Sequence, residues 1–142
     1  GEINALKKFV EITEKKGSKK SLLLNVSAPF HSPMLAGAGE KLYRELDKIT
    51  LKEMKVPVVS NADAKIIKEN TNVKELLKKQ IYSPVLWQQS VETMIEAGVD
   101  TFVEIGPGSV LKGLIKKINR SATVYNISDP ETLDQTIKEL NL

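Results

Sequence analysis

The chain has no cysteine, one histidine and few aromatics, 5% of 142 residues. Each shortage removes a class of function. Without cysteine there is no disulfide framework, no thiol nucleophile and no thiolate metal site. A single histidine, His31, leaves no basis for a zinc centre. Aromatic poverty argues against single-stranded nucleic acid, which binds by stacking its bases on ring platforms. No apolar run approaches the roughly 20 residues that a bilayer span requires. No signal-peptide pattern opens the chain either, so a cytoplasmic protein is the expectation.

What is present is an ordinary single-domain composition, 41% hydrophobic and 27% charged, with a mild net charge of +3. Lysines cluster around Gly17 (Lys15, Lys16, Lys19, Lys20), and Lys112, Lys116 and Arg120 fall at helical spacing. The 18 acidic residues are interspersed among them, so a solvated face is the plainer meaning than a nucleic-acid surface.

The stretch Ser21–Leu35, SLLLNVSAPFHSPML, organises the rest. It reads as a buried strand over Ser21–Val26 and a short loop through Pro29. Phe30 and His31 then stand just ahead of a helix, with Ser32 as N-cap and Pro33 at the first helical position. The positive end of that helix disfavours imidazolium, and a neutral imidazole is the state a general base needs. The alternative is a loop histidine satisfied by water.

Periodicity supplies the remaining elements. Residues 1–16 read as an amphipathic helix without a convincing N-cap, closed at Gly17; this opening looks cut from a larger α/β unit. A helix after His31 carries Leu35, Ala38, Leu42, Leu46 and Ile49 on one side. Gly37 and Gly39 in its first turns would let another backbone come close. Lys55–Ser60 reads as a strand, with Pro57 at its start or on an edge. Asn61–Ala64 is a turn and Lys65–Lys68 a short extended piece. Asn72 and Glu75 propose a capping box for a helix running to Gln80 or Ile81, with Ser83 extended ahead of Pro84. Trp87, Val91, Met94 and Ile95 mark the next helix, closed by Gly98, with the tryptophan as core.

Thr101–Ile105 reads as a buried strand, and Gly106-Pro107-Gly108 turns it into a helix over 109–118. That turn lacks both GxGxxG and the lysine-serine of a P-loop, so a tight structural turn is favoured over an anion site. Ala122–Ile127 is the last strand. Ser128, Asp129 and Pro130 open a final helix with Leu133, Ile137 and Leu140 facing inward. Helices alternating with short apolar strands predict an α/β fold with a mainly parallel sheet.

Several segments together carry a resemblance. VSAPFHSPML, the Gly/Ala-rich helix start, PVVSN and QIYSPVLWQQSVETMIEAGVDTFVEIGPGSVLKGLI resemble, in order and spacing, the C-terminal part of the malonyl-CoA:acyl-carrier-protein transacylase family. The resemblance implies an α/β-hydrolase-like large subdomain with an inserted ferredoxin-like small one. Residues 1–26 would end the small subdomain and residues 27–142 would belong to the large one. It implies malonyl-CoA and acyl carrier protein as partners and no cofactor, metal, nucleic acid or membrane. A basic patch would suit an acidic carrier.

In that family a serine on a GxSxG elbow is acylated and then discharged onto the carrier's phosphopantetheine thiol. The resemblance assigns the base to His31, the carbonyl that orients it to Gln80, and selectivity against an α-methyl group to Phe30. Two family features are missing. GxSxG occurs nowhere, for Ser18 and Ser109 merely follow a glycine, and neither Arg44 nor Arg120 matches the carboxylate-clamping arginine. The chain is thus expected to hold the base without the nucleophile, to be inactive alone, and to expose an apolar patch or self-associate through it. The competing reading is a non-catalytic module that binds a carrier protein or another partner.

Overall fold

The computed structural model describes residues 1–69 and 72–141. The elements that position the site are two antiparallel-packed helices and a hairpin, followed by a βαβ unit that holds the core.

Helix α1, Ile3–Lys15, begins at Glu2 without a side-chain cap. The chain leaves it at Gly17, whose N–H donates to the Glu14 carbonyl while that of Ser18 donates to Thr13. No α1 residue is buried. The expected strand over Ser21–Val26 does not form. Residues 20–26 run without a ladder partner, and Leu24 is 73% exposed. A short apolar run makes the sequence signal there, but a strand needs a neighbour for its N–H and C=O groups, and none lies beside it among the described residues.

Beyond His31, Pro33–Leu35 forms one turn of 3₁₀ helix that runs into α2, Ala36–Asp47. Helix α3, Val73–Tyr82, packs along α2. Gly39 is where they meet. A Cβ there would stand 3.0 Å from the Tyr82 ring and 3.1 Å from the Lys78 carbonyl, so only a glycine admits this approach without displacing α3. A Cβ at Gly37 would meet open space, and Ile49 lies beyond the helix, half exposed. Across the pair the Glu40 carboxylate accepts from Lys78 at 2.7 Å. That bond raises the lysine's pKa, and Lys78 lies over the Tyr43 ring. The negative charge of Glu75 raises the pKa of Tyr43. The expected capping box at Asn72 is absent. Asn72 sits in the left-handed region (φ 67°) and its side chain makes no cap bond.

Strands β1, Val58–Val59, and β2, Ile66–Ile67, form a short antiparallel hairpin closed by the 60–65 turn. Thr93 fastens that turn to helix α4, Trp87–Glu96, by donating to the Ala64 carbonyl at 2.8 Å. Strands β3, Thr101–Ile105, and β4, Thr123–Ile127, pair in parallel in the register Thr101↔Thr123 to Ile105↔Ile127. Helix α5, Val110–Ile118, connects them. Among the described residues the expected mainly parallel sheet is instead two separate two-stranded sheets, one antiparallel and one parallel.

The core lies between α4 and this βαβ unit. Val91, Ile115, Ala122 and Val124 are buried together, with Trp87, Met94, Ile95, Phe102 and Ile118 packed around them. The Trp87 indole N–H is buried without a partner among the described residues. The outer face of β3 is open, and Ile105 is 80% exposed. Lys116 does not join a free basic patch, since its ammonium reaches the Ala122 carbonyl at 2.6 Å. Helix α6, Pro130–Leu140, starts at an Asp129 capping box, and its inward expectation holds only for Leu140, which is half-buried. Leu133 and Ile137 are exposed, and the buried residue of that face is Thr136.

Among the described residues no helix is long and apolar enough to cross a membrane. No group of three His, Cys, Asp or Glu residues among them is placed to hold a metal ion.

Candidate active site

His31 stands at the end of the loop from Ser27 to Ser32, and its backbone is left-handed, with φ 55°. For a residue with a Cβ this conformation costs about 1–2 kcal/mol relative to its right-handed counterpart. Local hydrogen bonds hold it. The Phe30 N–H donates to the Ala28 carbonyl at 2.9 Å, and the Ser32 hydroxyl donates to the Pro29 carbonyl at 2.8 Å. Ser32 occupies the N-cap position with Pro33 after it, as the sequence suggests, but its side chain caps nothing. It closes the loop on Pro29 instead, with Phe30 and His31 between them.

Helix α3 supplies the other half. Gln80 lies in its last turn, and His31 Nδ1 is 3.0 Å from the Gln80 carbonyl oxygen, across 49 residues of sequence. A carbonyl only accepts, so Nδ1 carries the proton in this bond. In the neutral ring Nε2 is then the bare nitrogen, free to take a proton from a donor in front of it. The imidazole is exposed, which leaves that nitrogen open to approach.

Phe30 neighbours the histidine and is 58% exposed, so its ring is not packed beneath the loop. An apolar cavity of about 330 Å³ opens between α3 and the hairpin, and Gln80 lies on its wall. Neither Phe30 nor His31 lines it, so it is a separate space from the one His31 faces. Thus the structure brings His31 and Gln80 into contact with Phe30 alongside.

The Gly106–Ser109 turn holds no open anion site. The Glu104 carboxylate accepts from the Leu111 N–H at 3.0 Å and the Lys112 N–H at 2.9 Å, closing the start of α5 from within. Asn126 donates to the Gly108 carbonyl at 2.6 Å. The sequence signal for this cap is an acid two residues before a glycine turn that opens a helix.

Residues 1–141 match the acyl transferase domain family. The malonyl CoA-acyl carrier protein transacylase of Bacillus subtilis (strain 168) is 46% identical over 134 residues, which are 92% of this chain and 42% of the relative. Its Escherichia coli (strain K12) namesake is 40% identical over 117 residues, 82% of this chain and 38% of the relative. The crystal structure of the malonyl CoA-acyl carrier protein transacylase from Clostridium perfringens superposes with a TM-score of 0.91 at 45% identity, covering 99% of this chain and 44% of that one. A malonyl-transacylase solved in complex with its type II PKS acyl-carrier protein superposes with a TM-score of 0.91 at 34% identity, over 98% of this chain and 45% of that one. The chain spans about two fifths of the length of the curated relatives it matches.

Proposed function

The chain belongs to the acyl transferase domain family, and we propose that it supplies the base-bearing part of a malonyl-CoA:acyl-carrier-protein transacylase of fatty-acid biosynthesis. The observation that carries this reading is the Nδ1–H bond from His31 to the Gln80 carbonyl, which leaves Nε2 as a proton acceptor.

The nucleophile is a serine that this sequence does not contain in a GxSxG setting. His31 Nε2 takes the hydroxyl proton as the serine oxygen attacks the thioester carbonyl of malonyl-CoA. The tetrahedral adduct collapses, the C–S bond breaks, and the CoA sulfur leaves with the proton that His31 returns. The carrier's pantetheine thiol next gives its proton to His31 and attacks the serine ester, and the imidazolium re-protonates the departing serine oxygen. The Gln80 carbonyl holds the ring in one tautomer throughout and stabilises the imidazolium that forms. Phe30 crowds the acyl α-carbon and disfavours an α-methyl group, a discrimination worth about 1–3 kcal/mol.

Within this reading residues 1–26 close a ferredoxin-like small subdomain, and residues 27–142 belong to an α/β-hydrolase-like large one. The absence of any buried residue in α1, against the packed core of the βαβ unit, supports that division. The exposed Leu24, Ile105 and Val110 support self-association of the isolated chain. A species that sediments as a monomer at every concentration overturns that point.

The test of function is a chimera in which this chain replaces the matching stretch of the Bacillus subtilis relative. Malonyl transfer to acyl carrier protein is expected. His31→Ala is expected to lower it at least ~100-fold, whereas Gln80→Ala, which keeps the carbonyl, stays within about threefold. The chain alone is expected to gain no malonyl adduct by intact mass. Phe30→Ser is expected to raise methylmalonyl use relative to malonyl about tenfold. A folded but inert chimera, with carrier binding retained by the chain, overturns catalysis in favour of a binding module.

A further inference from the structure

Backbone accounting in α3 explains why the Gln80 carbonyl is available to His31 at all. In an α-helix the carbonyl of residue i accepts from the N–H of residue i+4. For Gln80 that residue is Pro84, which has no N–H. Proline also bars the residue before it from the helical region, and Ser83 is extended (φ −107°, ψ 150°), ending α3 at Tyr82. The Gln80 carbonyl is left without its helical partner, and the described donor that reaches it is His31 Nδ1 at 3.0 Å.

We propose that Pro84 is a positioning residue for His31: by withholding the amide N–H that would claim the Gln80 carbonyl, it reserves that oxygen for the imidazole and selects the tautomer with a bare Nε2. A carbonyl engaged in the helical ladder points along the axis, while a released one tilts outward. An N–H at position 84 draws the oxygen back to the axis and away from the ring. The sequence makes such competition easy, since an alanine there frees Ser83 to turn helical and extends α3 by part of a turn. This assignment rests on His31 acting as the base, but the ring's tautomer reports the positioning whether or not acyl transfer occurs.

The experiment uses the fact that His31 is the sole histidine, so the whole chain labelled with ¹⁵N gives one set of imidazole signals. At a pH where the ring is neutral, the Nδ1–H tautomer is expected to dominate in the native chain. Pro84→Ala is expected to invert the ratio toward the Nε2–H form that free histidine prefers. Replacing that alanine by lactic acid, which has the same side chain but an ester oxygen for the N–H, is expected to restore the native ratio. In the chimera, Pro84→Ala is expected to lower kcat roughly tenfold with KM unchanged, because the substrate is still bound while the base is misaligned. An unchanged ratio in Pro84→Ala overturns the proposal, as does an ester variant that behaves like alanine. Should the alanine variant fail to fold, Pro84→Gly also carries an N–H but favours helix less, and a smaller shift in the same direction is expected. No shift there is equally contrary.

Discussion

Two of the turns that lead from an extended stretch into a helix are built on opposite plans. The Gly106–Ser109 turn satisfies itself. Its two positive-φ positions are glycines, Glu104 occupies the helix N-terminus, and Asn126 ties down the Gly108 carbonyl. The Ser27–Ser32 turn gives its left-handed position to a histidine, leaves that ring exposed, and fixes it through a distant helix carbonyl. A turn that serves only the fold uses residues for which its conformation is cheap. The other accepts backbone strain in a residue whose side chain has chemistry to perform, which is where strain gathers in functional sites.

Removing the internal cap tests the first plan and gives the largest expected effect on stability. Glu104→Ala orphans two N–H groups at the start of α5 and is expected to destabilise the chain by about 2 kcal/mol. The denaturant midpoint reads this loss, and the His31 tautomer is expected to stay as it was. A moved tautomer would show that the two turns are coupled rather than independent.

The left-handed histidine gives a smaller and more pointed effect. His31→Gly and His31→Ala both remove the imidazole and its bond to Gln80, so they differ only in what the backbone conformation asks of the residue. The glycine variant is expected to be the more stable by about 1 kcal/mol, less whatever glycine gains in unfolded-chain freedom. Gly108→Ala at φ 84° is the mirror experiment and is expected to lose stability in the same range. Equal stability of the two His31 variants would mean that the loop relaxes out of the left-handed region once the ring is gone. The tether to Gln80, rather than the loop's own bonds, would then impose the strain.

Local signals were legible and distant ones were not. Gly17, Gly98, the Asn61–Ala64 turn, Pro84 as a helix stop and the starts of β3 and α6 are each decided within a few residues, and the structure agrees at all of them, while β4 starts at Thr123, one residue after the expected Ala122. Segment 21–26 failed because an apolar run states a preference, while a strand also needs a partner. Leu133 and Ile137 failed because periodicity finds the apolar stripe of a helix without saying what covers it. Asn72 failed because the cap pattern also suits a left-handed asparagine. The site divides in the same way. Position alone placed His31 just ahead of a helix, but its pairing with Gln80 spans 49 residues and came only from resemblance to a family. The part of that contact that is local, a proline four residues after the accepting carbonyl, was readable throughout.

A third turn, from β4 into α6, separates charge from shape and carries the smallest expected effect. Asp129 accepts from the Thr132 N–H at 2.8 Å, and the Thr132 hydroxyl turns back to the Asp129 N–H at 3.1 Å. The backbone bond from Thr132, aided by the hydroxyls of Thr132 and Ser128, holds the Asp129 carboxyl below its ordinary pKa. A carboxyl whose folded-state pKa is depressed contributes stability in full above its unfolded-state value, about 3.9, and loses it as the pH falls through the lower folded-state value. Asp129→Asn keeps an N-capping side chain that cannot titrate. The stability gap between the native chain and this variant, read from urea midpoints, is therefore expected to narrow as the pH drops from about 5 to 2. A gap constant across that range would mean that the cap works through shape alone. All three turns would then differ only in backbone geometry, and the contrast between self-capped and functional turns would rest on His31 by itself.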